Sequence, residues 1–288
     1  VPFTRGRERS RNPESIVDEC QQLLNDGYKE ITLLGQNVDS YLWHGGGLKK
    51  EFKNLSKSEQ EKSVSFAQLI EMVANVSPEL RVRFSTSNPQ DMTDNILHIM
   101  AKYENICNYI HLPVQSGSNR ILEKMNRGYT REEYLQRIEK IHEILPNCAI
   151  SMDMISGFCT ETKKDHKNTL DLMDKVIFDF GYMFKYSERP NTPAQRKWED
   201  DVTEEVKQKR LTQIIEKQME HSLIRNKETI GKTYEVLIEG KSKKSAEKLQ
   251  GRTRQNKVVV FDKGNHKKGT YIKVQIQDCT PATLIGKV

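Results

Sequence analysis

The sequence has 288 residues with a formal net charge of +6; 30% of the residues are charged and 35% are hydrophobic. Its longest apolar runs, such as Val258–Phe261, fall far short of the roughly 20 residues of a membrane span. The basic first residues also lack the apolar segment of a secretory signal. The composition therefore excludes membrane-spanning and secreted classes and predicts a globular, cytoplasmic protein.

The distribution of charge predicts a binding partner, and the cysteine pattern predicts the redox state of the thiols. Residues 231–288 carry thirteen Lys or Arg against five Asp or Glu, a balance of +8, so residues 1–230 carry −2. A small basic segment beside a near-neutral body favours an anion-binding module whose usual partner is nucleic acid; a solvated charged surface is the alternative. The five cysteines form no C-x-x-C pair, which predicts reduced thiols.

Helix and strand patterns alternate along the first three quarters of the chain. Asn12 and Pro13 are predicted to begin the first helix and Gly27 to end it. Strand patterns, each followed by a helix pattern, occur at residues 29–37, 81–87, 107–118, 149–158 and 181–187. A Gly- and Lys-rich stretch, residues 42–62, is predicted to be a surface loop or insertion.

The last helix pattern covers residues 203–224. Its predicted apolar stripe consists of Leu211, Ile214, Ile215, Gln218, Met219 and Leu223. After Ile230 the pattern changes to short strands with period two, as in residues 271–277. Five such strands in about sixty residues predict a small OB-like barrel of a kind that often binds RNA or DNA.

This alternation predicts an α/β fold with a parallel sheet. Five β/α units that begin with a helix lead us to expect an incomplete (β/α)6 partial TIM-type barrel, followed by the small all-β barrel. We place the two domains at residues 1–228 and 229–288. Polar or glycine-containing residues follow each strand, so the active face is expected at the carboxyl ends of the strands.

Three strand ends carry candidate site residues. Residues 33–37, "LLGQN", place a glycine and two side-chain amides at a strand end, where exposed backbone groups could form hydrogen bonds with a small ligand. In "HLPVQSGS", Pro113 interrupts the strand, and we expect Gln115 on an exposed turn to contact ligand while His111 belongs to the core. Asp153 lies inside an apolar strand, where a carboxylate requires either a structural partner such as an arginine or a bound polar ligand.

Several segments, in this order, resemble the radical S-adenosylmethionine methylthiotransferases. They are "PFTRGRERSR", "LLGQNVDSY", "RVRFSTSNP", "HLPVQSGSNRIL", "MDMISGF" and "SERPNTPA". The tail, with "EVLIEGKSKKS", "LQGRTRQNKVVVF" and "ATLIGKV", resembles the TRAM domain that ends these enzymes. "GQNVDSY" is most similar to the branch that acts on tRNA carrying N6-isopentenyladenosine beside the anticodon. Branches acting on threonylcarbamoyladenosine tRNA or on a ribosomal protein are the alternatives within the family.

The resemblance implies a transferase with S-adenosylmethionine and two [4Fe–4S] clusters as cofactors. A radical made from the first cofactor would remove hydrogen from C2 of adenine, sulfur would be inserted there, and a second S-adenosylmethionine would supply the methyl group. A radical is needed because an aromatic C2–H is too weakly acidic for a side-chain base. The implied partners are tRNA and an electron-donor protein; we expect no membrane partner and a monomer.

The resemblance also implies roles for individual residues. The candidates for binding S-adenosylmethionine are Gly35, Gln36, Asn37, Ser85, Gln115, Asp153, Gly157 and Arg189. The candidates for contact with RNA phosphates are Arg5, Lys243, Lys244, Arg252 and Arg254. No catalytic residue is assigned.

Two departures from the family pattern stand out. None of the cysteines present matches a cluster ligand, and both cysteine triads of the family would lie before Val1. We therefore expect this chain alone to be inactive in catalysis, and a non-catalytic RNA-binding module is the alternative function of another class. In addition, "GFCTET" replaces the family's "GFPGET", so Cys159 and Thr160 stand where Pro and Gly are usual; we expect Cys159 to be a buried hydrophobic residue.

Overall fold

The computed structural model describes residues 7–243 and 245–288, and the chain divides into two compact units, residues 1–107 and 108–288. The described helices of the first unit are α1 (Pro13–Asn25), α2 (Lys57–Glu61), α3 (Phe66–Ala74) and α4 (Asp94–Lys102). Its described strands are β1 (Glu30–Leu33), β2 (Leu42–Trp43), β3 (Val64–Ser65) and β4 (Arg81–Phe84).

The first unit is organised around two parallel strands. β1 and β4 pair in register from Glu30 with Arg81 to Leu33 with Phe84. Successive side chains of a strand point to opposite faces, and Phe84 meets Phe66 of α3 edge to face, with ring centroids 5.3 Å apart. The other face is polar, since Arg83 Nε lies 2.8 Å from Glu30 Oε1.

The sequence prediction for residues 42–62 was incomplete. This stretch holds the antiparallel β2–β3 pair, a 3-10 helix at Lys49–Asn54, and α2. Ser56 begins α2, because its hydroxyl accepts the backbone N–H of Glu59 while the Glu59 carboxylate accepts the N–H of Ser56. Capping explains why short elements form in a stretch with few apolar residues.

The second unit contains a parallel sheet and a closed barrel. Its helices are α5 (Asn119–Lys124), α6 (Arg131–Ile144), α7 (Lys163–Val176), α8 (Pro193–Lys197) and α9 (Glu204–Lys227). Strands β5 (Tyr109–His111), β6 (Ala149–Ser156) and β7 (Phe180–Lys185) form a parallel sheet in that order. All five strands predicted before residue 200 are therefore confirmed as strands, and the pairs that these five strands form with one another are parallel.

The C-terminal strands close on themselves. They are β8 (Thr233–Ser242), β9 (Ser245–Arg252), β10 (Val258–Asp262), β11 (Tyr271–Cys279) and β12 (Leu284–Lys287), in the order β10-β12-β11-β8-β9. Alternate residues fill the interior, including the fully buried Val236, Val259, Phe261 and Val274. The small all-β barrel predicted from the period-two pattern is confirmed.

Helix α9 differs from its predicted stripe. Its buried side chains are Lys207, Arg210, Ile214, Gln218, His221, Ser222 and Asn226, whereas Met219 is 53% exposed. The amide of Gln218 donates to Phe178 O at 2.9 Å. Arg210 Nη1 lies 2.8 Å from Glu161 Oε1. The helix therefore packs through hydrogen bonds and ion pairs more than through apolar contact.

The end of α9 fixes the barrel to the rest of the second unit. Asn226 Nδ2 donates to Thr280 O at 2.9 Å and Pro281 O at 3.1 Å. Asn226 Oδ1 accepts from Lys257 Nζ at 2.8 Å. Lys257 Nζ also lies 2.7 Å from Asp179 Oδ1, and both side chains are only 10% exposed. One amide and one buried ion pair thus join the barrel to α9 and to the start of β7.

Candidate functional site

In the first unit, the loops after β1 and β4 form the candidate site. The backbone N–H of Ser85 donates to Leu33 O at 3.2 Å, and the N–H of Val38 donates to Thr86 O at 3.3 Å. Gly35 and Gln36 are exposed on the first loop, and Ser85 is half-buried on the second. The structure therefore brings Gly35, Gln36, Asn37 and Ser85 onto two neighbouring loops that are joined by hydrogen bonds; their role as a site stays a prediction.

Asn37 has an unused hydrogen-bond acceptor. Its Nδ2 donates to Asp91 Oδ2 at 2.6 Å, whereas its Oδ1 is buried and has no partner. A buried acceptor without a donor is unfavourable by about 1–3 kcal/mol. An ammonium or N–H group of a ligand would satisfy it.

Asp39, two residues further on, was missed by the sequence analysis. Its side chain is buried; it accepts from Ser87 Oγ at 3.1 Å and from the N–H of Asn88 at 3.2 Å. Burial raises the pKa of Asp39 to about 7, although these two hydrogen bonds lower it. No local signal marked Asp39, because its burial depends on the loop after β4, about fifty residues away in sequence.

Stability of the chain should therefore depend on the protonation of Asp39. Its folded pKa is raised, so between about pH 4 and pH 7 the folded state binds more protons than the unfolded state, and stability falls as pH rises. We expect the free energy of unfolding of the wild type to decrease relative to Asp39→Asn across this window, by at most about 1.4 kcal/mol per pH unit. Urea denaturation at several pH values measures this, and parallel curves for the two proteins would contradict it.

In the second unit, Gln115 was predicted on an exposed turn, and this was wrong. Gln115 is 6% exposed and Ser116 1%. Gln115 extends the sheet, because its N–H donates to Asp153 O at 2.9 Å and its carbonyl accepts from Ile155 N at 3.0 Å. Its φ of 70° is left-handed, so the chain turns there while it still pairs with β6.

Asp153 has histidine, and not arginine, as its structural partner. His111 Nε2 lies 3.4 Å from Asp153 Oδ1, and His111 Nδ1 lies 2.8 Å from Ser151 Oγ. Ser151 Oγ is in turn 2.8 Å from the hydroxyl of Tyr109. The Asp153 side chain is still 28% exposed, so it remains accessible to a polar ligand. The exposed ring of Tyr182 meets His111 edge to face at 5.8 Å.

The turn after β6 is closely packed against α9. Gly157 has a φ of +73°, and a Cβ there would lie 2.3 Å from Lys207 Cγ. The N–H of Gly157 donates to Glu161 Oε1 at 3.1 Å, and Glu161 pairs with Arg210. The space that a side chain would take is filled by the stem of Lys207, which explains glycine at this position by packing. The role of Gly157 in binding S-adenosylmethionine stays a prediction.

The two unusual residues of this turn have separate explanations. Cys159 is fully buried beside Phe158 and Ile121, and burial raises the pKa of its thiol, so its prediction as a buried hydrophobic residue is confirmed. Thr160 has a φ of +67°, the left-handed conformation that favours glycine. Arg120 donates to Thr160 Oγ1 at 3.0 Å and to Thr160 O at 2.6 Å, and the N–H of Thr160 donates to Asp201 Oδ1 at 2.6 Å.

The predicted cationic residues differ in their surroundings. Arg189 and Lys243 are exposed. Arg252 is half-buried, with its Nε 2.9 Å from Glu239 Oε1, and Arg254 lies in the β9–β10 turn. Arg5 and Lys244 lie outside the described residues.

The donor set of the described residues does not fit an iron–sulfur cluster. Across residues 7–243 and 245–288, no group of three or more His, Cys, Asp or Glu side chains could hold a metal ion. The cysteines are spread over separate parts of the chain, and four of the five are buried. Within the same ranges no helix is long and apolar enough to cross a membrane.

Residues 1–173 match the model of the Radical SAM superfamily, and residues 227–288 match the model of the TRAM domain. The chain is 59% identical to the tRNA-2-methylthio-N(6)-dimethylallyladenosine synthase of Christiangramia forsetii. It is 58% identical to the proteins of that name from Flavobacterium johnsoniae and Flavobacterium psychrophilum. Each alignment covers 100% of this chain and 60% of the relative, so the chain spans about 60% of the length of these curated relatives.

Proposed function

Because the chain belongs to the radical SAM superfamily, we propose that it acts in the 2-methylthiolation of N6-isopentenyladenosine in tRNA. The observation that carries the proposal is the 59% identity, along the whole chain, to a relative named for that product. The TRAM match at residues 227–288 supports RNA as the partner. The relatives compared above are named for N(6)-dimethylallyladenosine, and not for threonylcarbamoyladenosine or a ribosomal protein.

The first unit supports S-adenosylmethionine as the cofactor. The buried Asn37 Oδ1 lacks a donor, and the α-ammonium group of a methionine moiety would supply one. Gly35, Gln36 and Ser85 would present backbone and side-chain groups around that moiety. The cofactor bound there would supply the radical chemistry that an aromatic C2–H requires.

In the second unit, Gln115, Asp153, Gly157 and Arg189 are the residues that we propose for binding S-adenosylmethionine. Asp153 is the strongest of these candidates, because its carboxylate is oriented by His111 and remains partly exposed. Iron–sulfur clusters belong to the superfamily's chemistry, but the described residues do not fit them. An electron-donor protein, a monomeric state and a cytoplasmic location stay predictions, as does the domain boundary at residues 228/229.

Removal of the Asn37 amide tests this proposal. We expect Asn37→Leu to lower the affinity of the chain for S-adenosylmethionine by about 10- to 100-fold, because a hydrogen bond to a charged group contributes about 1.5–3 kcal/mol. Equilibrium dialysis of the full chain with S-adenosylmethionine measures this without any turnover. Asn54→Ala, an exposed asparagine of the same unit, is the control and should bind as the wild type does.

The nucleoside content of tRNA identifies the product. When the chromosomal gene carries Asn37→Leu, 2-methylthio-N6-isopentenyladenosine should decrease and N6-isopentenyladenosine should accumulate in digested tRNA analysed by mass spectrometry. A decrease confined to the 2-methylthio derivative of threonylcarbamoyladenosine would refute the substrate. Unchanged tRNA together with unchanged S-adenosylmethionine affinity would refute the proposed function as a whole.

A further inference from the structure

The C-terminal barrel has one end that faces the rest of the second unit. The β9–β10 turn carries Lys257, which pairs with Asp179, and the β11–β12 turn carries Thr280 and Pro281, which bind Asn226. The chain also enters the barrel at this end, since the N–H of Gly231 donates to Ile276 O at 2.8 Å. We call this the docked end.

The two remaining connections lie at the opposite end, because consecutive antiparallel strands alternate in direction. They are the β8–β9 turn and the β10–β11 loop, residues 263–270. The connections adjoin each other: Lys248 and Asp262 are cross-strand partners, and the N–H of Lys263 donates to Glu247 O at 3.0 Å. β9 has eight residues, so the two ends are separated by roughly 20 Å at about 3.3 Å per residue.

Lysine is concentrated at this far end. The distal lysine surface consists of Lys241, Lys243, Lys248, Lys263, Lys267 and Lys268. Five of the six are exposed and Lys248 is half-buried; none of the six forms an ion pair with another described residue. The only acidic residues described on these two connections and the strand ends beside them are Glu247 and Asp262.

Two cations near the docked end are paired with carboxylates. Lys257 is paired with Asp179, and Arg252 is paired with Glu239. A phosphate that bound Arg252 would have to compete with Glu239. The lysines at the far end are not paired with a carboxylate of the described residues, so a phosphate can bind them without displacing one. Each phosphate that they neutralise also releases counterions.

We propose that the distal lysine surface, and not the Arg252–Arg254 segment, is the principal contact of the barrel with the phosphate backbone of RNA. This inference rests on the proposed function, in which tRNA is the partner. The contact is sequence-independent, since lysine neutralises phosphate as a point charge and a phosphate contact carries no sequence information. Its role is to hold the RNA at a point roughly 20 Å from the docked end.

The test compares two triple variants of equal charge in the full chain. Lys263→Gln, Lys267→Gln and Lys268→Gln together remove three charges from the distal surface. Lys232→Gln, Lys273→Gln and Lys287→Gln together remove three exposed charges from the docked half of the barrel. The probe is tRNA purified from cells that lack this gene, titrated at a series of salt concentrations. Thermal melting of both variants verifies that they are folded.

We expect the distal variant to lose affinity by about tenfold or more, and its slope of log affinity against log salt to become shallower by about 2 to 3. The control variant should stay within about twofold of the wild type in affinity. Equal losses in the two variants, or no loss in the distal one, would overturn the inference and leave the proposed function in place. A wild-type chain without salt-dependent affinity for tRNA would overturn both.

Discussion

Lys257→Met should destabilise the protein by about 3–5 kcal/mol, because it leaves the Asp179 carboxylate buried without its cation. The two charged atoms are 2.7 Å apart, and each side chain is 10% exposed. The other oxygen of Asp179 already accepts a hydrogen bond from the N–H of Ile150 at 2.9 Å, so the carboxylate is held in its buried position. The same substitution removes a donor from Asn226.

The lost stability should appear first as release of the barrel. The Lys257–Asp179 pair joins the barrel to the parallel sheet, whereas the interior of the barrel is a separate apolar cluster. We therefore expect Lys257→Met to expose the segment between α9 and β8 to proteases at low urea concentrations, with unfolding of the rest at higher concentrations. Lys263→Met, at an exposed position of the same barrel, should change stability by less than about 0.5 kcal/mol.

A second variant separates charge from packing. Lys257→Met combined with Asp179→Asn removes both charges, and it should recover much of the loss, since the penalty comes from an unpaired buried charge. Urea denaturation followed by circular dichroism measures all three proteins. A Lys257→Met protein as stable as the Lys263→Met control would show that the pair does not hold the barrel in place.

Gly157→Ala should destabilise the protein by about 2–5 kcal/mol, or prevent soluble expression. Two costs add: the left-handed backbone at φ +73° disfavours a side chain by about 1–2 kcal/mol, and overpacking costs about 1–3 kcal/mol. The overpacking is severe because the new Cβ would lie 2.3 Å from Lys207 Cγ. Lys207 cannot withdraw easily, since its Nζ is held by Asp200 at 2.5 Å and Glu204 at 3.0 Å.

Gly269 provides the matched control for this substitution. Its φ of +80° is close to that of Gly157, but a Cβ there would meet nothing within 4 Å. Gly269→Ala should therefore cost only the backbone term, about 1–2 kcal/mol. Adding Lys207→Ala to Gly157→Ala should cost less than the sum of the single variants. Equal losses for Gly157→Ala and Gly269→Ala would show that Lys207 imposes no packing constraint.

The sequence was sufficient to locate the five strands of the two parallel sheets. Apolar strands such as β6 and the period-two pattern of β11 are local signals, and both were confirmed. The predicted site residues Asn37 and Asp153 were selected because polar groups at strand ends have few packing roles, and the structure gives both of them specific partners. Their roles toward S-adenosylmethionine remain proposals.

Features that depend on distant partners could not be predicted. Lys207 and Arg210 were given no role, yet they are buried because Asp200 and Glu161 satisfy their charges. Gln218 was placed on the predicted apolar stripe and is buried, but through a hydrogen bond to Phe178 O. Apolar periodicity detects only burial by hydrophobic contact, so a helix that packs by hydrogen bonds is misread.

Gln115 and Asp39 illustrate the same limitation in loops. The sequence favoured exposure for Gln115, but bonds to Asp153 and Ile155 draw it into the sheet. Asp39 is buried by a loop that lies far away in sequence. In both residues the deciding partner is contributed by another β/α unit, which local pattern cannot identify.

Thr160 has a consequence for how such chains diverge. Its left-handed backbone is held from both sides, by Arg120 at its carbonyl and hydroxyl and by Asp201 at its N–H. Because Arg120 and Asp201 hold this backbone conformation, a glycine at position 160 can be replaced while the turn keeps its shape. A family motif at such a position is therefore better defined by backbone conformation than by residue identity. A sequence search that penalises the missing glycine heavily would undervalue a true relative.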